Sequence, residues 1–174
     1  MQKTLESLIE QIDTKKSEII KRTLAINEAD QNTPPVKGGW SPVQVVEHLI
    51  IFEEWLFAGR KKAVEAGASL KPGFKGKLFT SVVRLMIGTK ARFGTMPEFE
   101  PTGEIDLTKR MADWSALRQS ISKELESIDS SQLQATFAIH PIAGPIDSQT
   151  TLELISLHLD YHLRNFPDAP GTGK

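Results

Sequence analysis

Any chemistry in this chain belongs to its histidines. There are four of them and no cysteine, so disulfides, thiolate metal sites and a cysteine nucleophile are excluded. His158 and His162 stand four residues apart in a segment patterned as helix. That spacing puts both imidazoles on one face, one turn apart. Two rings so placed can chelate one ion, and they are equally the spacing of two histidines on a partly solvated helix. The run reads H-L-D-Y-H, without the glutamate of an H-E-x-x-H metalloprotease motif. His48 lies on the apolar side of another patterned segment, near Val45 and Phe52. A polar ring among core positions needs either a hydrogen-bond partner or a metal. His140 stands in a segment rich in proline and glycine, where it reads either as a pocket contact or as a turn-supporting ring beside Pro141.

Four amphipathic segments have to position these rings. Leu5, Leu8, Ile9, Ile12, Ile19, Ile20, Leu24 and Ile26 recur mostly at three- and four-residue steps, which predicts a first helix over roughly 2–29. The stretch D-Q-N-T-P-P-V-K-G-G (30–39) is a loop. Ser41, Pro42 and Gln44 together spell a capping box with proline at the first helical position. They open a second helix that carries Val45, Leu49, Phe52 and Leu56 and ends near Gly67. The third helix covers about Ile105 to Ile128. The fourth is expected to start near Thr150, where Thr150 and Glu153 resemble another capping box, and to stop before Pro167. No segment reads convincingly as a strand. Trp55 and Trp114 fit core positions, and Trp40 reads as a staple at the helix entry or as packing at the bundle end.

These elements predict an all-α, four-helix bundle in one domain (1–167) with a loose tail (168–174). Short links make the first pair and the last pair antiparallel. A long crossover between the second and third helices allows up-down-down-up order. In that order the second and fourth helices can be neighbours, bringing His48, His158 and His162 to one end of the bundle. The crossover contains apolar Phe74, Phe79, Val82, Val83 and Leu85, so it should pack on the bundle or on a second subunit. A short helix within 77–92 is the most that its pattern supports.

Across 174 residues the net charge is −1, which gives no global electrostatic case for nucleic acid or a membrane surface. Locally, nine Lys and Arg residues between Arg60 and Arg92 face Glu65 alone. The run reads as a solvated crossover or as an anion-binding flap, and no recognition-helix motif accompanies it. The amphipathic N-terminal segment lacks the basic start and apolar core of a signal peptide, and with the absence of cysteine it fits a cytoplasmic protein.

The motifs G-G-W-S-P-V-Q-V-V-E-H-L (38–49), H-P-I-A-G-P-I-D (140–147) and H-L-D-Y-H-L-R-N (158–165) together resemble the DinB-like superfamily. The resemblance spans about 38–166. It implies an up-down-down-up four-helix bundle, often a homodimer, in which His48, His158 and His162 bind a divalent ion, zinc or nickel foremost. It also implies an open coordination position. Such a site would activate a water for hydrolysis or a low-molecular-weight thiol for S-transfer, acting on a small-molecule substrate. With no cysteine in the chain, the thiol would have to come from a cosubstrate. The alternative is a stress-related bundle that holds metal or ligand without turnover. Asn165 departs from the glutamine often found in the family at that position. With His140 and Tyr161 it is a candidate for the pocket around the metal. Glu47 and Asp160 are rotated off the ligand faces; Glu47 is expected on a solvated face or in a helix pair.

Overall fold

The computed structural model describes residues 2–35, 38–66, 71–88, 94–127, 134–140 and 142–167. Its elements are α1 (Gln2–Leu24), α2 (Pro42–Ala66), α3 (Phe74–Gly88), α4 (Leu107–Ser127), a short hairpin of β1 (Ala138–His140) and β2 (Gly144–Ile146), and α5 (Ser148–Arg164). The four long helices α1, α2, α4 and α5 form the bundle. α1 packs chiefly on α5, and α2 contacts α4, α1, α5 and β1.

α2 is the central helix because its sequence is apolar on more than one side. Val45, Val46, Leu49, Ile50, Phe52 and Leu56 are all buried. Its start is built as the sequence predicts. The Ser41 hydroxyl accepts from Gln44 N at 3.2 Å, and Ser41 N donates to Gln44 Oε1 at 2.9 Å. Ile12 and Ile19 of α1, Trp114 of α4 and Leu152, Ile155 and Leu159 of α5 close the core around it. Each fully buried side chain of this size contributes about 1.5–3 kcal/mol.

Four details depart from the sequence reading. α1 ends at Leu24 rather than near residue 29. Leu24 is exposed, Ile26 N turns back onto Thr23 O, and a separate 3-10 turn covers Glu28–Asp30. A hairpin stands where no strand was expected. Ala138 pairs with Ile146 and His140 with Gly144 (φ +72°), and Phe137 N donates to Ile146 O. Three-residue strands are too short to show alternation, and their burial comes from packing on α2 at Gly59. A Cβ there would lie 3.1 Å from Ile139 O. α5 starts at Ser148, not Thr150. Asp147 is its N-cap and accepts from Thr150 N at 2.7 Å, while Glu153 instead meets Gln149 and Arg84. Finally, Glu47 is buried. Its two oxygens accept from Thr102 Oγ1 and Gly103 N, so it anchors the loop before α4 rather than facing solvent.

The crossover does contain a helix, α3, and it packs on α5 and β2. Gly76 lets it sit directly on Ile146, and Thr80 is buried. Phe74, Leu78, Val82 and Leu85 form its exposed side. Lys90 and Arg92 of the basic run, and the tail 168–174, lie outside the described residues. No helix among the described residues is long and apolar enough to cross a membrane.

Candidate metal centre

The structure brings His48 of α2 and His158 and His162 of α5 together. The ligand-capable nitrogens of the three all lie within 4.8 Å of one another. His48 Nε2 stands 3.0 Å from His158 Nε2, which in turn stands 3.1 Å from His162 Nε2. Imidazole nitrogens sharing one tetrahedral ion at ~2.0–2.1 Å stand about 3.3 Å apart.

Proton counting tests whether these residues fit a metal. His48 Nδ1 lies 2.8 Å from the Phe99 carbonyl oxygen, which can only accept, so the His48 proton resides on Nδ1 and its Nε2 is bare. His158 Nε2 sits between two neighbours, and a single proton there serves one of them well. Moving that proton to Nδ1 leaves it buried without a partner and sets bare nitrogens against each other at 3.0 Å. The His158 Nδ1 lacks a partner with or without an ion, but a shared cation takes up the facing Nε2 lone pairs that would otherwise repel, so the residues fit a divalent ion.

The electrostatics agree. Burial holds the His48 pKa below its usual value, against the pull of the Phe99 carbonyl. Burial pushes His158 well below, with His162 and His48 adding to it, and brings His162 to about 3. All three rings are therefore neutral at physiological pH, the state that ligates. Tautomer control by a backbone carbonyl is the usual way such ligands are oriented.

The nitrogens lie at the wall of a cavity of about 510 Å3. Trp40 covers one side: its ring centroid is 4.5 Å from that of His48, and it is stacked over His162 at 6.0 Å. Phe52 stands edge-on to His158 at 4.3 Å, and Phe99 packs on Phe52 and Trp55. Phe79 and Val83 of α3 also line the cavity.

The other three pocket candidates also border this cavity. His140 does so with its Nδ1 committed, accepting from Ile142 N and Ala143 N at 3.2 Å each. It therefore supports the turn as well as lining the pocket. Burial lowers its pKa to about 4, so it is a neutral ring whose proton is on Nε2. Tyr161 packs edge-on against His162. Asn165 is the C-cap of α5, its Nδ2 donating to Tyr161 O at 2.8 Å. Asp160 is turned away and pairs with Lys15 at 2.7 Å.

Sequence reasoning missed the aromatic walls. By sequence Trp40 fits a staple or end packing, and its place directly before the cap of the helix bearing His48 is the one signal for its role at the site. The Phe99 carbonyl has no signal in sequence, because any residue type supplies one.

Fold and site together define a four-helix-bundle protein with a three-histidine centre at the wall of an apolar cavity. The chain belongs to the DinB superfamily, whose family model matches residues 11–165. Among solved structures it is similar to YfiT from Bacillus subtilis, described as a probable metal-dependent hydrolase with an unusual four-helix bundle topology. The identity is 16% over 91% of this chain and 81% of that one, with a TM-score of 0.58. At that identity the likeness establishes the fold alone. No curated protein matches the chain.

Proposed function

We propose that this protein is a metal-dependent hydrolase of small molecules, with His48, His158 and His162 as the metal ligands. The observation that carries the reading is the convergence of three neutral imidazole nitrogens, 3.0 and 3.1 Å apart in sequence of contact, beside a cavity sized for a small ligand. The description of YfiT as a probable metal-dependent hydrolase supports the same class. Three protein ligands leave a coordination position open, as catalytic rather than structural sites do. Zinc and nickel both suit the donor set. The ion's contribution when bound is Lewis acidity and a lowered pKa for a water.

The chain's own residues do the rest. The Phe99 carbonyl holds the His48 tautomer. Trp40, Phe52 and Phe99 keep bulk water from the ligand rings. His140, with Nδ1 occupied by the turn, offers the cavity a hydrogen-bond donor and no acceptor, a role suited to a substrate oxygen that gains negative charge. Among the described lining residues no carboxylate is available as a general base.

A second reading is S-transfer from a low-molecular-weight thiol, which a chain without cysteine would have to take from a cosubstrate. Purified protein loaded with zinc or nickel is to be assayed against ester and amide panels, and against thiols with an electrophile. Hydrolysis that disappears in His48→Ala is expected. Turnover only with a thiol present favours the second reading, and no turnover in either panel despite stoichiometric metal leaves a binding protein.

A further inference from the structure

α3 is apolar on two sides, and only one of them is covered. Gly76 and Thr80 lie on the side packed against Ile146 and α5, and Phe79 and Val83 beside them line the cavity next to the histidines. Phe74, Leu78, Val82 and Leu85 lie on the other side, with Phe74 76% and Leu85 71% exposed. At about 100° per residue these four fall in one arc of roughly 80°, opposite the packed side. Lys75 borders the arc on one edge, and Lys77 and Arg84 border it on the other. All three are exposed. Arg84 reaches Glu153 of α5 at 3.5 Å and is still 61% exposed. Along the chain from Lys71 to Pro97 stand Lys71, Lys75, Lys77, Arg84, Lys90 and Arg92, and no Asp or Glu. A contiguous apolar stripe left in water marks an interaction surface, and these cations give its partner a sign.

We propose that this face of α3 docks the protein on an anionic lipid surface, with the helix lying in the plane of the interface. With 15 residues α3 is about 22 Å long, short of the ~30 Å hydrocarbon core, so it cannot cross. It can bury one side. The stripe enters the boundary between headgroups and acyl chains, and the bordering cations meet the anionic headgroups. The whole chain, at −1, gives a membrane no such attraction; the positive charge is concentrated where the apolar side chains project. The same charge argues against a second copy of this chain on the stripe. A two-fold contact sets Lys75, Lys77 and Arg84 against their own counterparts, with no acid in the segment to pair them. A bilayer accepts a projecting ridge without shape complementarity, where a protein partner needs a matching groove. The three histidines lie on other helices, so chelated and metal-loaded protein are expected to bind alike.

Co-sedimentation of the full chain with vesicles tests this, using phosphatidylcholine alone and phosphatidylcholine with about a quarter phosphatidylserine. Binding to the anionic vesicles is expected to be about tenfold or more tighter than to the neutral ones, since each cation near the surface contributes about fivefold. It should weaken as salt rises to about 0.5 M. Leu78→Ser with Leu85→Ser should cut it by about tenfold or more, and Lys75→Gln with Lys77→Gln by a similar factor. All four side chains are exposed, so the fold is not at stake, and an unchanged Tm verifies that. The chain has no cysteine, so an introduced one is the only labelling point. A polarity-sensitive dye at Leu78→Cys should shift to the blue on anionic vesicles, and one at Gln119→Cys, exposed on α4, should not.

No binding to anionic vesicles, equal binding to neutral ones, or binding untouched by the leucine change each overturns the proposal. An equal dye response at both positions does so too, because it means adsorption without a preferred face. Self-association that the leucine change abolishes, with no vesicle binding, also overturns it and assigns the stripe to a second copy.

Discussion

Replacing His158 with leucine is expected to stabilise the metal-free protein and to abolish its stabilisation by metal. In the absence of an ion, His158 is the ring least well served. Its Nδ1 is buried without a partner, and its Nε2 faces two other ring nitrogens at 3.0 and 3.1 Å. A buried polar group left unsatisfied costs about 1–3 kcal/mol. Leucine is close to imidazole in volume and retains contact with Phe52, whose ring lies 4.3 Å from that of His158. The net gain in chelator should be about 1–2 kcal/mol, or roughly 2–8 °C in Tm for a domain of this size. Adding zinc or nickel at about a hundred times Kd stabilises the wild type by about 2.7 kcal/mol and leaves the variant unchanged. The order of melting therefore reverses between chelator and metal. Thermal scans under both conditions, with elemental analysis of the dialysed proteins, read this out. If His158→Leu melts below wild type in chelator, the three rings are satisfied without an ion and the proton count is wrong. If both proteins gain equally from metal, the ion binds elsewhere.

Other consequences follow from groups outside the ligand set. Arg118, buried between α1, α2 and α4, bonds Glu53 at 3.1 Å and Asp13 at 2.7 Å. Arg118→Met should cost about 3–5 kcal/mol at neutral pH by stranding the buried Glu53 carboxylate, measured by urea unfolding. Burial already raises the Glu53 pKa, so the folded variant binds more protons than the unfolded chain, and its deficit should shrink as pH falls from 8 to 5. His140 acts with the opposite sign. Its folded pKa is about 4, below the unfolded 6.5, so the unfolded chain takes up the extra proton. Its contribution is intact above about pH 6.5 and falls by roughly 3 kcal/mol as pH drops to about 4; in chelator-treated protein His140→Gln should flatten that slope by one proton. Gly103 has φ +76°, donates to Glu47, and a Cβ there would lie 2.8 Å from Asn32 Oδ1. Gly103→Ala should therefore lower stability by about 1–2 kcal/mol, visible as a lower Tm.

The four bundle helices and the buried side of each are legible in the periodicity of the chain. Periodicity is a local property, and the same three- and four-residue steps that mark a stripe in α1, α2, α4 and α5 are what the core then covers. The Ser41–Gln44 box was legible because both partners lie within one turn. The histidine pair of α5 was legible for the same reason. Where a signal required distant partners, local reading failed. Glu47 looks solvated until the loop carrying Thr102 and Gly103 folds over it. Asp147 outcompetes Thr150 as a cap because the hairpin delivers the chain to α5 at that residue. The hairpin itself is too short to announce itself, and it exists because Gly59 leaves room for it on α2.

The candidate centre divides along the same line. That His158 and His162 share a face was in the sequence, and a family resemblance joined His48 to them. Helix packing sets how close the three nitrogens come, brings the Phe99 carbonyl to fix the His48 tautomer, and builds the aromatic walls of the cavity beside them. Those properties depend on distances between segments dozens of residues apart. Such distances are set by how whole helices pack, and no spacing within one helix encodes them.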